Sequence, residues 1–247
     1  MKTVSVLSRK GGAGKTTVSV NLGLAAMQQG LRVVVADIDP LRSASEVLRG
    51  RTEAASLLIE TSARKLELLR ETCASNGCDL LIIDTPTAPQ EDIQRAVRAA
   101  DLCLAVARPT RLDLAAIQQT ITLLSQRRAR AMVVLNQCPS MRGEEESDLV
   151  RHAFETLRDS GIPLAETRLR SRTAYQRAFA EGQSVTEWNA SSDSAADVLR
   201  LLAEVQEQLG AREIYDERIA KLRQAADFMA GPGQVVGDFF KKMRLAS

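Results

Sequence analysis

Aromatic side chains are scarce in this chain: one Trp, two Tyr and five Phe make up 3% of 247 residues. A core built without them has to be aliphatic, from Val, Leu, Ile and Ala. Charge of one sign is missing too. A formal net charge of +2 excludes a global electrostatic field, so any surface for nucleic acid has to be a local patch. The four cysteines, Cys73, Cys78, Cys103 and Cys138, form no C-x-x-C pair and show no metal-ligand spacing, and read as scattered thiols of a cytosolic protein. No apolar run approaches the roughly 18 residues that would span a bilayer. Internal repeats, low-complexity tracts and any linker before residue 230 are absent as well. One further absence is local. In "SRKGGAGKTT", residues 8–17, the phosphate-loop pattern G-x-x-x-x-G-K-[ST] lacks its leading glycine. Arg9 stands there instead, and a second lysine, Lys10, stands next to it.

What is present is an alternation. The apolar run Val4 to Leu7 leads into the glycine loop, and a helix is predicted over 16–29, closed by Gly30. "RVVVADID" (32–39), "CDLLIIDTP" (78–86), "DLCLAVARP" (101–109) and "ARAMVVLNQ" (129–137) read as buried strands. Helices are predicted at 63–75, 90–99 and 112–127, then a strand near 163–169 and helices at 172–181 and 193–209. Buried strands alternating with amphipathic helices predict a three-layer α/β fold, a mostly parallel twisted sheet with helices on both faces. Residues 1–210 are expected to form this domain and 211–247 a helical C-terminal extension.

A glycine loop between strand and helix offers backbone N–H groups to phosphate, and the helix dipole adds to them. Gly11, Gly12, Ala13 and Gly14 supply that cradle. Lys15 is placed to reach the β and γ phosphates, Thr16 to ligate Mg²⁺, and Thr17 to add a hydroxyl contact to the α phosphate. ATP and Mg²⁺ are the cofactors this chemistry calls for. Asp84, after Leu80-Leu81-Ile82-Ile83, has the strand-end setting of a Walker B carboxylate that holds Mg²⁺ through water. Asp39, beside Pro40, is placed to orient or deprotonate an attacking water, or to hold Mg²⁺ through water. Asp37 shares its sheet face if the strand alternation continues, and the sequence does not separate the two roles.

K-G-G-x-G-K-T-T at Lys10 to Thr17 resembles the deviant Walker A box of the ParA/MinD family of ATPases. "DIDP" (37–40) and "LLIIDTP" (80–86) match that family's switch I and switch II in order and spacing, and residues 166–188 are similar to the late segment of small ParF-type ParA proteins. The resemblance covers about residues 2–210 and departs at Leu41 and Arg42 in switch I. It implies a P-loop NTPase fold and a weak Mg²⁺-dependent ATPase. By the same resemblance Lys10 crosses the interface of an ATP-sandwich homodimer and neutralises phosphate in trans, with the charge logic of an arginine finger. Asp39 then positions the water, Asp84 holds the Mg²⁺ shell, and Asn136 falls where relatives contact adenine.

Two fates of the ATP state follow from the family. A ParA-type dimer binds non-specific DNA, positions a plasmid, a chromosome origin or a protein assembly, and is reset by a ParB-like or adaptor partner that stimulates hydrolysis. That reading expects a cytoplasmic, nucleoid-associated protein, with Arg168, Arg170, Arg172, Arg177 and Arg200 as candidate DNA contacts. With the loop starting at residue 10, neither a signal peptide nor an operator-reading domain is expected before it. The alternative is a MinD-like membrane-surface ATPase. Val235, Val236, Phe239, Phe240 and Met243 form one helical stripe in the tail, flanked by Lys241, Lys242 and Arg244. A small-molecule ligase shares the fold, but the sequence shows no pocket for its substrate. The iron–sulfur reductases need paired cysteines in glycine-rich loops, which Cys103 and Cys138 lack.

Overall fold

The computed structural model describes residues 1–51, 57–141, 143 and 145–210. Its strands are β1 (Lys2–Leu7), β2 (Val33–Asp37), β3 (Leu58–Glu60), β4 (Leu80–Asp84), β5 (Leu102–Ala107) and β6 (Ala131–Leu135). They form one sheet in the order β3-β2-β4-β1-β5-β6, parallel at every pairing. Of the inner strands, β2, β4 and β5 are almost entirely Val, Ile, Leu, Ala and Cys, and β1 alternates Val4 and Val6 with buried Thr3 and Ser5, so both faces of the sheet have to be covered. Within each strand alternate residues enter opposite cores: Val4, Ile82, Leu104 and Val134 on one face, Ile83, Cys103 and Val133 on the other.

The first face carries α1 (Lys15–Gln28), α2 (Ser43–Leu48), α7 (Thr173–Ala180), α8 (Val185–Trp188) and α9 (Asp193–Gln208). The second carries α3 (Leu66–Ser75), α4 (Gln90–Ala99), α5 (Arg111–Gln126) and α6 (Asp148–Arg158). Helix α1 is buried almost all round because it lies between the sheet and α9. Its Gly23 lets the helix approach β2, since a Cβ there would stand 2.8 Å from Val35 Cγ2. Side-chain caps set the helix starts: the hydroxyls of Thr110, Ser147 and Ser192 accept from Asp113, Val150 and Ala195 N–H, and Ser184 with Glu187 forms a capping box.

Two expectations change. The strand near 163–169 is not a seventh strand: this segment meets the β6 edge at two isolated bridges, Val133↔Leu164 and Cys138↔Arg170. Between them the N–H groups of Glu166 and Thr167 donate to the Glu204 carboxylate of α9, at 2.8 Å each, so the chain bows away from β6. Secondly, β2 ends at Asp37, so Asp39 lies beyond the strand and shares no sheet face with Asp37. The C-terminal extension and its amphipathic tail lie outside the described residues.

Because every strand runs the same way, all their C-terminal ends lie along one edge. Register places Asp37, Val6 and Asp84 level there. Ligands of open parallel sheets bind at this edge.

Candidate nucleotide and cation site

The loop after β1 leads into α1 with Gly12 at φ 75° and Gly14 at φ 91°, left-handed values that side chains disfavour. Lys15 opens the helix and is only 8% exposed. Burial lowers its pKa, against the opposing pull of the Asp84 and Asp39 charges. Thr16 Oγ1 donates to Asp84 Oδ2 at 2.8 Å. Ser19 Oγ, one turn further along α1, stands 3.0 Å from Asp84 Oδ1 and 3.0 Å from the Lys15 carbonyl. Burial pushes the Asp84 carboxyl up to about 7; the hydroxyls of Thr16 and Ser19 oppose this, the Asp37 charge adds to it and Lys15 relieves it. A buried carboxylate beside a hydroxyl at the phosphate loop fits a hard divalent cation such as Mg²⁺. Among the described residues no three His, Cys, Asp or Glu side chains converge, so a cation here would take its remaining ligands from water and phosphate. Thr16 and Asp84 are the residues that would hold it. Ser19 is not evident from the sequence, since no motif marks a small hydroxyl one turn into the helix.

The two switch I carboxylates divide their work. Asp37 is fully buried and spent on structure: Oδ2 accepts from Ser45 N (2.9 Å) and Oγ (2.8 Å), and Oδ1 accepts from Asp39 N (3.1 Å). Asp39 is half-buried, holds the next turn by accepting from Leu41 N at 2.9 Å and lies within electrostatic reach of Lys15. Of the pair, Asp39 is the one free to face a water. Arg42 takes φ 52°, and its guanidinium donates to the Asp37 and Thr61 carbonyls, tying the end of β2 to the chain after β3. Leu41 is 83% exposed on the same edge.

Lys10 does not turn into its own loop. Its Nζ lies 3.6 Å from Asp113 Oδ2 in the first turn of α5. Asp113 is 2% exposed and also accepts from Arg108 Nε (3.0 Å) and Thr110 Oγ1, which keeps its carboxyl below the usual range despite burial. Asn136, expected at adenine, donates from Nδ2 to the Ala13 carbonyl at 2.8 Å, and neighbouring Gln137 donates to the Gly12 carbonyl at 2.9 Å. Neither Asp113 nor Gln137 is marked by a motif.

Residues 4–185 match the CobQ/CobB/MinD/ParA nucleotide binding domain family. The chain belongs to this family. Relatives include the Maintenance of carboxysome distribution protein A of Gloeobacter kilaueensis, 35% identical over 83% of this chain and 94% of that protein. Protein ParA of Rhizobium radiobacter is 32% identical over 74% of this chain and 84% of that protein. Among solved structures, the septum site-determining protein MinD with Mg-ADP from Pyrococcus horikoshii superposes with a TM-score of 0.68 at 18% identity, covering 85% of this chain and 97% of that one. The fold is therefore that of the ParA/MinD ATPases.

In this ParA/MinD-family chain the five arginines expected at DNA are not an open stripe. Arg168, Arg170, Arg172 and Arg200 line one cavity of about 590 Å³ between the 166–172 segment and α9. Carboxylates meet all four. Arg170, 8% exposed, grips Glu146 with both guanidinium nitrogens at 2.8 and 2.7 Å and also donates to the Pro139 carbonyl. Arg168 lies over the Phe154 ring with Nε 3.9 Å from Glu146. Arg172 and Arg200 share Asp197 at 2.6 and 2.5 Å. Arg177, exposed on α7, stands apart from this network. All four cysteines are buried and free, and among the described residues no helix is long and apolar enough to cross a membrane.

Proposed function

We propose that this chain is a ParA-type, Mg²⁺-dependent ATP switch with weak basal activity, which closes as a homodimer around ATP, binds non-specific DNA and positions a cargo. The observation that carries the reading is the second lysine of the loop. The loop is complete without Lys10, whose ammonium rests outside it on Asp113. A cation held beside a phosphate site but not spent on its own phosphates is suited to a neighbour's. The names of two relatives, carboxysome distribution proteins of Gloeobacter kilaueensis and Halothiobacillus neapolitanus, favour a large protein assembly over a replicon as cargo. A partner bound to that cargo stimulates hydrolysis and resets the switch.

In the closed state Lys15 and the loop N–H groups bind the phosphates, Thr16 and Asp84 hold Mg²⁺, and Asp39 orients the attacking water. DNA is met through phosphate neutralisation, for which exposed Arg177 and Arg200 are better placed than buried Arg170.

The test is co-sedimentation of the full chain with random-sequence duplex DNA and with anionic liposomes. Each is run with ADP and with ATP under conditions that block hydrolysis, at two salt concentrations. Salt-sensitive DNA binding that requires ATP is the expected result. Liposome binding with ATP, lost on removing residues 235–247, would replace this reading by the membrane-surface one.

A further inference from the structure

The end of β6 reaches across to the phosphate loop with two consecutive side-chain amides. Asn136 Nδ2 donates to the Ala13 carbonyl (2.8 Å) and Gln137 Nε2 to the Gly12 carbonyl (2.9 Å), contacts between segments more than 120 positions apart. In a trans peptide the C=O of one residue and the N–H of the next point in opposite directions. Holding the Gly12 carbonyl outward therefore turns Ala13 N–H inward, and holding the Ala13 carbonyl does the same for Gly14 N–H. Neither N–H donates to an acceptor among the described residues. Gly12 (φ 75°) and Gly14 (φ 91°) take positive φ on either side of Ala13, the kind of alternation from which anion nests are built.

The local sequence is shaped around these contacts. A Cβ on Gly14 would overlap Asn136 Nδ2, so that glycine makes room for the amide as well as for phosphate. Gln137 takes φ 52°, which costs a non-glycine residue free energy, and its side chain then meets Gly12. Loop and clamp are fixed to one sheet, since Asn136 N donates to the Ala107 carbonyl at the end of β5, next to β1.

We propose that Asn136 and Gln137 are positioning residues for phosphate: a two-amide clamp that aims the N–H groups of Ala13 and Gly14 at a bound nucleotide. The inference rests on this loop binding nucleotide, as the ATPase reading requires. It gives Asn136 a task other than the base contact that the family resemblance implies.

Asn136 is buried, so exposed Gln137 carries the test. Binding of ADP with Mg²⁺ is measured by titration calorimetry on the full chain for wild type, Gln137→Ala and Gln137→Lys, with the thermal midpoint of each taken without nucleotide. All three keep a non-glycine residue at the strained position, and only Ala lacks a donor. Gln137→Ala is expected to bind ADP about three- to tenfold more weakly, the scale of one hydrogen bond, with an unchanged midpoint. Gln137→Lys, whose ammonium reaches the same carbonyl, is expected to recover most of that affinity. Unchanged ADP affinity in Gln137→Ala overturns the clamp. So does a loss that the lysine does not restore or that parallels a fall in midpoint, because either marks general damage. A wild-type chain that binds no ADP or ATP fails at the ATPase reading itself, which separates the two failures.

Discussion

Asp113 gathers Lys10, Arg108 and Thr110 on one buried carboxylate, and the members are not equivalent. Removing Lys10 leaves Asp113 with Arg108 3.0 Å away, whereas removing Asp113 strands two cations at once. Lys10→Ala should therefore keep wild-type stability within about 0.5 kcal/mol yet fail to dimerise with ATP. Asp113→Ala should lose about 1–2 kcal/mol in urea denaturation. Equal losses in the two variants would show that Lys10 is structural. Glu146 supplies the pH dependence. Hydrogen bonding from Arg170, more than anything else, holds its carboxyl below the ordinary value of 4.5. A depressed carboxylate stabilises the fold above that value, and the contribution is lost as pH falls through the lower native pKa. Glu146→Gln should cost about 1–3 kcal/mol at pH 7, with the gap to wild type closing in acid below pH 4.5. A gap independent of pH would remove the charge from the explanation. At this scale the sequence marks Lys15 and Thr16 by the loop pattern and Asp84 by the apolar run before it, each a local signal. Ser19 and Gln137 are hidden because their partners lie elsewhere in the chain, and the link from Asp113 to Lys10 is hidden for the same reason.

At the scale of elements, Glu204 on α9 does what a neighbouring strand would do. Its carboxylate accepts from the N–H groups of Glu166 and Thr167 and from the Thr167 hydroxyl. Glu204→Ala should raise amide hydrogen exchange at 166 and 167 by about tenfold or more while leaving β6 amides unchanged. No change there would mean that the bowed segment is held by other contacts. The sequence offers Leu164, Ala165 and Leu169 around a polar centre, a short mixed pattern that reads as a strand. The α9 carboxylate that diverts it lies nearly forty residues further on. The short β3 is hard to read for a different reason: three residues at the sheet edge, none fully buried, leave almost no pattern. Helix α6, absent from the expected elements, carries local signals of its own: Ser147 as its cap and Val150, Ala153 and Leu157 on its buried face.

For the whole molecule, the ion-paired arginines divide the DNA question. Each phosphate contact contributes a salt slope of about −0.9, so a variant that loses one contact should flatten the dependence of log K on log salt by about one. Arg177→Ala and Arg200→Ala should each do so without changing the fold. Arg170→Ala should instead lower the thermal midpoint, since it takes from Glu146 both of its short guanidinium contacts and leaves it only the Ser147 N–H and Arg168 at 3.9 Å. A flattened slope with an intact midpoint in Arg170→Ala would move the contact surface inward. The three-layer parallel fold follows from buried strands alternating with helices, whereas the sign of the electrostatic surface does not follow from counting arginines. One consequence concerns the phosphate loop held from β6. Residues 12 and 13 are tied to residues 136 and 137, so the binding site closes only when β1 and β6, with β5 between them, have both assembled. A nucleotide on that loop is thus a thermodynamic brace for the whole sheet, worth about 2.7 kcal/mol at a hundredfold excess over Kd. Its presence should slow proteolysis at sites far from the loop as much as beside it.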